Sequence, residues 1–198
     1  MGSFRRIALL LVTTLLCGTA FAAPKPPRPE AGIGVLLVRP ALADRDGAPP
    51  ALVLYREPGV GRLGEWSAPS LPLFPLPVGD GDLYPLAVVM KRGEWFRVAY
   101  DEAGRSGWVE RQRNWSFLSW EEYLKGRSAR LLPGLRKPYC ILRSEPTGQA
   151  PELRTLSPSN ALRIVEVAGD RARVLLDLSV IGWLQWRDED GRLLIGLR

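Results

Sequence analysis

The chain has no histidine. That excludes Ser-His-Asp and Cys-His catalysis and any zinc site built with imidazole. Cysteine is nearly as scarce, with Cys17 and Cys140 the only two in 198 residues. Long helices are also disfavoured, because 20 Gly and 18 Pro interrupt the sequence almost everywhere. Charge of one sign is modest: 27 Lys and Arg stand against 21 Asp and Glu. The basic residues are scattered among acids, whereas a nucleic-acid binder is expected to gather them on one face. Carboxylate-pair chemistry needs no histidine, yet no acidic pair stands out. Asp80-Gly81-Asp82 falls short of a calcium loop. Glu121-Glu122 sits at an apparent helix start. Asp188-Glu189-Asp190-Gly191 reads as a turn with a solvated charge cluster. The expectation is a protein with no catalytic residue, no metal and no cofactor.

What is present begins with an export signal. Arg5 and Arg6 precede an apolar run from Ile7 to Leu16, followed by Ala20-Phe21-Ala22 and Pro24. A positive segment, about ten apolar residues and small residues two apart form a cleavable signal peptide. The run is shorter than the roughly 20 residues needed to span a bilayer. Cys17 follows Leu16, too bulky for a lipidation signal, so cleavage near Ala22 is expected instead. Cleavage leaves 25 basic against 21 acidic residues and one cysteine. Cys140 then has no internal partner, and its setting between Tyr139 and Ile141 suggests a buried thiol. A chain of this size can bury roughly two-thirds of its unfolded surface and needs no disulfide.

Past a proline-rich leader (Pro24–Pro29), strand signals dominate. They cover Val35–Val38, Ala51–Tyr55, Tyr84–Lys91, Trp95–Tyr100 and Ser106–Glu110, then Tyr139–Arg143, Leu162–Ala168, Ala172–Leu178 and Gly182–Arg187. Lys91-Arg92-Gly93-Glu94 and Ala168-Gly169-Asp170-Arg171 read as hairpin turns. Ser119 with Glu122 three residues on forms a capping box, and Gly126 can end the short helix it starts. Trp115, Phe117, Trp120, Tyr123 and Leu124 are too apolar for a solvated linker and are expected to pack between two β halves.

The halves repeat. Leu54-Tyr55-Arg56-Glu57-Pro58, Leu86–Val98 and Gly107-Trp108-Val109 are echoed by Leu142-Arg143-Ser144-Glu145-Pro146, Leu162–Val174 and Gly182-Trp183-Leu184. Val98 to Gly107 and Val174 to Gly182 span nine and eight residues. This order resembles the bacterial SH3-like (SH3b) family over roughly residues 51–111 and 139–187. The second copy departs from the pattern at Arg171, where the first has Trp95. The resemblance implies a mainly β fold, two tandem SH3-like small barrels joined by a short helix-containing linker. The expected division is a signal peptide over 1–22 and a Pro-rich leader with a first strand over 23–50. A first domain with a long Pro-rich loop covers 51–114, an aromatic helical linker 115–138 and a second domain 139–198.

Such barrels use a long first loop over an aromatic patch to bind peptides or cell-wall fragments. Here that loop, Glu57 to Leu83, either forms a groove with Tyr55, Trp66 and Tyr84 or packs across the barrel as a lid. Trp95, after its hairpin turn, is the fourth ligand-contacting candidate. Trp108, Trp183 and Trp186 are expected to be structural. The implied role is a non-catalytic binding module, periplasmic or secreted. Its ligand would be peptidoglycan or a peptide of a cell-envelope protein, with no nucleic-acid partner and membrane contact only through the signal. The other reading is a scaffolding subunit with no groove in use.

Overall fold

A computed structural model describes residues 30–40, 48–72, 83–101 and 103–197. The expected signal peptide, the prolines of the leader, Asp80–Asp82 and the Phe74–Pro77 part of the long loop lie outside these residues.

Gly34-Val35-Leu36-Leu37-Val38 has no polar side chain, and a strand of that composition must be covered on both faces. It forms β1 (Gly34–Val38), buried at every position. There follow β2 (Ala51–Glu57), β3 (Val60–Ser67), β4 (Tyr84–Arg92), β5 (Trp95–Ala99), β6 (Ser106–Glu110) and β7 (Ser116–Ser119). A short helix α1 (Trp120–Leu124) leads to β8 (Ser128–Leu131), β9 (Ile141–Arg143), β10 (Glu152–Thr155), β11 (Leu162–Ala168), β12 (Arg171–Leu176), β13 (Val180–Gln185) and β14 (Ile195–Leu197). These build two seven-stranded antiparallel sheets, ordered β3-β2-β6-β5-β4-β1-β7 and β10-β9-β13-β12-β11-β8-β14. Adding seven to each label of the first order yields the second, so the internal repeat extends to the whole strand order.

The correspondence reaches single residues. Val98 pairs with Gly107 and Val174 with Gly182; Tyr55 pairs with Trp108 and Arg143 with Trp183. The β4–β5 ladder slips between Val88 and Met90, and the β11–β12 ladder between Ile164 and Glu166, at equivalent places. Both following hairpins turn on a glycine at positive φ, Gly93 at 56° and Gly169 at 58°, a conformation a Cβ disfavours. Gly182 is required for another reason, since a Cβ there would lie 2.6 Å from Leu142 and 2.9 Å from the Arg143 carbonyl.

Each half is larger than the repeat suggested. β1 belongs to the first sheet, and both β7 and β8 come from the stretch expected to be a linker. Phe117 on β7 packs against the first core, while Ala129 and Leu131 on β8 enter the second. Within 115–138, Trp115, α1 with the 125–127 turn after it, and residues 132–138 lie outside the sheets. Ser119 caps α1 as expected: its hydroxyl accepts from the Glu122 N–H at 3.3 Å, and its own N–H donates to Glu122 Oε2 at 2.8 Å. The Ser119 N–H, with the Ser119 hydroxyl donating to the same oxygen at 2.9 Å, holds the Glu122 carboxyl below its ordinary range. Gly126, at φ 78°, ends the turn and donates to the Ile164 carbonyl at 2.8 Å.

The halves share apolar material. Leu36 and Val38 enter the first core, while Val35 and Leu37 join the second with Trp120, Tyr123 and Leu124 of α1. Residues just before β1 are tied to the far end of the chain. Ala31 N–H donates to the Gly191 carbonyl at 2.8 Å, and Trp120 Nε1 donates to the Ala31 carbonyl at 2.9 Å. Trp120 also meets the Trp186 ring at 5.2 Å between centroids. Of the aromatics expected between the halves, Trp120 and Tyr123 take that place; Trp115 is instead buried in the first core.

Two local expectations need correcting. The 188–191 turn is a solvated charge cluster only in part: Glu189 and Asp190 are exposed, but Asp188 is 3% exposed. Its Oδ1 accepts from the N–H groups of Asp190 at 3.1 Å and Arg192 at 2.8 Å, so the carboxylate holds the turn that grips Ala31. Cys140 is half-buried rather than buried, its thiol directed at the Arg136 carbonyl 3.7 Å away.

Candidate functional site

β2, β6 and β5 turn one face to the first core through Leu54, Val109 and Phe96. Alternation then puts Tyr55, Trp108 and Trp95 on the opposite, outward face. Tyr55 is the cross-strand partner of Trp108, and Trp95 meets Tyr55 edge-on with centroids 5.5 Å apart. Tyr55 and Trp95 are half-buried, whereas Trp108 is 2% exposed. The Arg92 guanidinium lies over Trp108, 5.2 Å from its ring. Edge-to-face rings and a cation over the indole each add about 0.5–1.5 kcal/mol beyond area burial, so the cluster is preformed.

Beside Tyr55 lies an open cleft of about 200 Å³ whose lining includes Ala51, Val53, Tyr55, Glu110, Arg111 and Trp115. Sites that enclose a drug-sized molecule run to about 300–1,000 Å³, so this cleft has room for one side chain or part of a sugar ring. Arg111 on its wall binds Glu94 at 2.6 Å, and Arg92 over Trp108 reaches Glu57 at 3.4 Å.

The four aromatics singled out in the sequence do not share one surface. Tyr55 and Trp95 form the outward pair. Trp66 is the cross-strand partner of Leu52 and packs against the first core, stacked on Tyr100 at 5.2 Å. Tyr84 packs against the same core. Trp66 was expected in a loop but stands on β3, because Glu57 to Ser67 forms a hairpin with β2. Arg92 and Trp115 were not expected at the site; the hairpin register and the turn after β6 bring them there.

A second polar cluster joins Arg136, Tyr139 and Glu189. Tyr139 is 5% exposed, accepts from Arg136 at 2.6 Å and donates to Glu189 at 2.8 Å. The hydrogen bond to Glu189, reinforced by burial, holds the Tyr139 hydroxyl above its usual range. Among the described residues no three Cys, Asp or Glu side chains converge on a metal position. No helix among them is long and apolar enough to cross a membrane.

No protein-family model matches the chain, and no curated protein matches it. Among solved structures it is similar to NlpC1 from Trichomonas vaginalis, at 10% identity and a TM-score of 0.32. The likeness covers 84% of this chain and 51% of that one. At that score it carries no argument about fold or activity. The resemblance to SH3-like domains rests on residue pattern alone.

Proposed function

We propose that the protein is an exported, non-catalytic binding module of the cell envelope, built from two tandem SH3-like barrels. Its first barrel takes peptidoglycan, or a peptide of an envelope partner, on the Tyr55–Trp95 face. The observation that carries this reading is a half-exposed aromatic pair at 5.5 Å adjoining a cleft sized for one side chain or part of a sugar ring. Rigid aromatics offer large contact area at little entropic cost, and sugar rings and apolar side chains both suit such a surface. The SH3-like assignment draws support from the Gly-Trp-Val strand β6, from hairpins turning on Gly93 and Gly169, and from the repeated strand order.

A second reading, a scaffolding subunit of an envelope complex, draws on β1. A strand buried on both faces joins the halves through shared core and suits a rigid spacer. Sedimentation with purified peptidoglycan separates the two. Binding lost in Tyr55→Ala and Trp95→Ala, each lowering the unfolding midpoint by several degrees but folded at the assay temperature, is the expected result. No sedimentation, with stoichiometric co-purification of one envelope protein that both variants still bind, would instead establish the scaffold.

A further inference from the structure

Equivalent positions of the two halves carry different chemistry. Tyr55 faces Trp108 across the ladder where Arg143 faces Trp183, and Arg97 faces Trp108 where Arg173 faces Trp183. Trp95 opens β5 just after the Gly93 turn, as Arg171 opens β12 just after the Gly169 turn. A covering turn is also repeated. A Cβ on Gly59 would lie 3.7 Å from the Trp95 ring, and a Cβ on Gly148 would lie 3.5 Å from Arg171 Nη2. The backbone frame is retained, and both aromatics flanking the central indole have become guanidiniums.

The central indole is more open as well. Trp183 is half-buried where Trp108 is buried. Ala168 occupies the position of Arg92, whose guanidinium lies over Trp108. Arg143 is held in place: Nη1 donates to the Ala150 carbonyl at 2.7 Å, and Nη2 reaches Glu152 at 3.4 Å. Arg173 lies 3.8 Å from Glu166. Among the described residues no carboxylate forms a salt bridge with Arg171. A guanidinium without a charge partner, at the same 148–150 turn as a second one fixed by the backbone, suits an oxyanion that accepts two hydrogen bonds.

We propose that this outward face of the second half binds an anionic oxygen group, carboxylate or phosphate. Arg171 is the principal donor, Arg143 the second, and the open Trp183 ring takes the adjoining apolar part of the ligand. The site does not depend on the first half binding anything. The test is a titration of the purified full chain at low ionic strength, following arginine Nε–H and tryptophan Nε1–H resonances. Tetraglutamate peptide and inorganic phosphate serve as separate probes. Saturable shifts at Arg171 and Trp183 are expected, with affinity about tenfold weaker in Arg171→Gln and an unchanged unfolding midpoint. Response to the peptide alone identifies a carboxylate source, response to phosphate alone a phosphate source, and equal response to both the shared oxyanion chemistry. Absence of saturation with either probe, or equal affinity in Arg171→Gln, overturns the proposal. If that variant fails to fold, Arg171→Lys keeps the charge but loses the fork. It must then weaken the responding probe by about fivefold, and unaltered affinity overturns the proposal.

Discussion

Leu36 and Leu37 are neighbours in the chain, yet they enter different cores. Leu36 is 0% exposed in the first core and Leu37 is 7% exposed in the second. Replacing either by alanine removes buried carbon and leaves a cavity, at a cost of about 2–5 kcal/mol. Taking about 3 kcal/mol and about 2–4 °C per kcal/mol for a chain of this size, each variant should melt roughly 6–12 °C lower. If the halves were independent, Leu36→Ala would unfold the first and Leu37→Ala the second, and calorimetry would show two separated transitions. Because β1 contributes to both cores, each variant should retain one transition. Native-state hydrogen exchange should then accelerate together at Val98 on β5 and Val174 on β12. Two resolved transitions, only one of them moved by Leu36→Ala while Val174 exchange stays at its wild-type rate, would refute the shared-core reasoning.

Ser119→Ala should cost about 1 kcal/mol by removing the cap of α1, read as faster amide exchange at Lys125. The folded-state value of Glu122 is lowered. Its contribution is therefore full above the unfolded carboxylate range and lost as pH falls through the lowered value, so Lys125 exchange protection should weaken in acid. Asp188→Ala leaves two turn N–H groups without their acceptor. It should destabilise the protein by about 2–4 kcal/mol in urea unfolding, with Asp188→Asn milder because an acceptor oxygen remains. The β12–β13 turn holds Asp177 at φ 48° and Leu178 at φ 56°, with Leu178 83% exposed. Leu178→Gly therefore removes backbone strain without losing burial and should raise stability by about 0.5–1 kcal/mol. A lower unfolding midpoint would contradict that account.

The parts of the fold legible in the sequence are those that bury a periodic apolar face. Ser106–Glu110 and Leu162–Ala168 match their strands residue for residue. The Ser119–Glu122 box names its helix because the signal is local. β3 and β10 gave no such signal. They are edge strands, largely or wholly exposed, and Gly61, Gly64 and the polar run Glu152–Thr155 disguise them. β7 and β8 are four residues each, too short for alternation to distinguish them from a linker. Of the candidate site, Tyr55 and Trp95 were accessible from the repeat alone. The separation of Trp66 depends on the β2–β3 register, which a loop reading cannot supply. Asp188 was misread because burial of a charge near a chain end is decided by what docks there, in this case Ala31 from far away in sequence.

The clamp on the segment before β1 also bears on the order of folding. Val35 and Leu37 need Leu193 and Ile195 to complete their core, and Ala31 needs the Gly191 carbonyl. Contacts between residues so distant in sequence form slowly, because loop closure must precede them. A nascent chain can form the β4–β5 hairpin early and lay α1 against β1, but the core that takes Val35 and Leu37 stays incomplete until the last strands arrive. The molecule therefore closes late and as a whole, and truncation anywhere before β14 would leave the core under β1 short of Ile195.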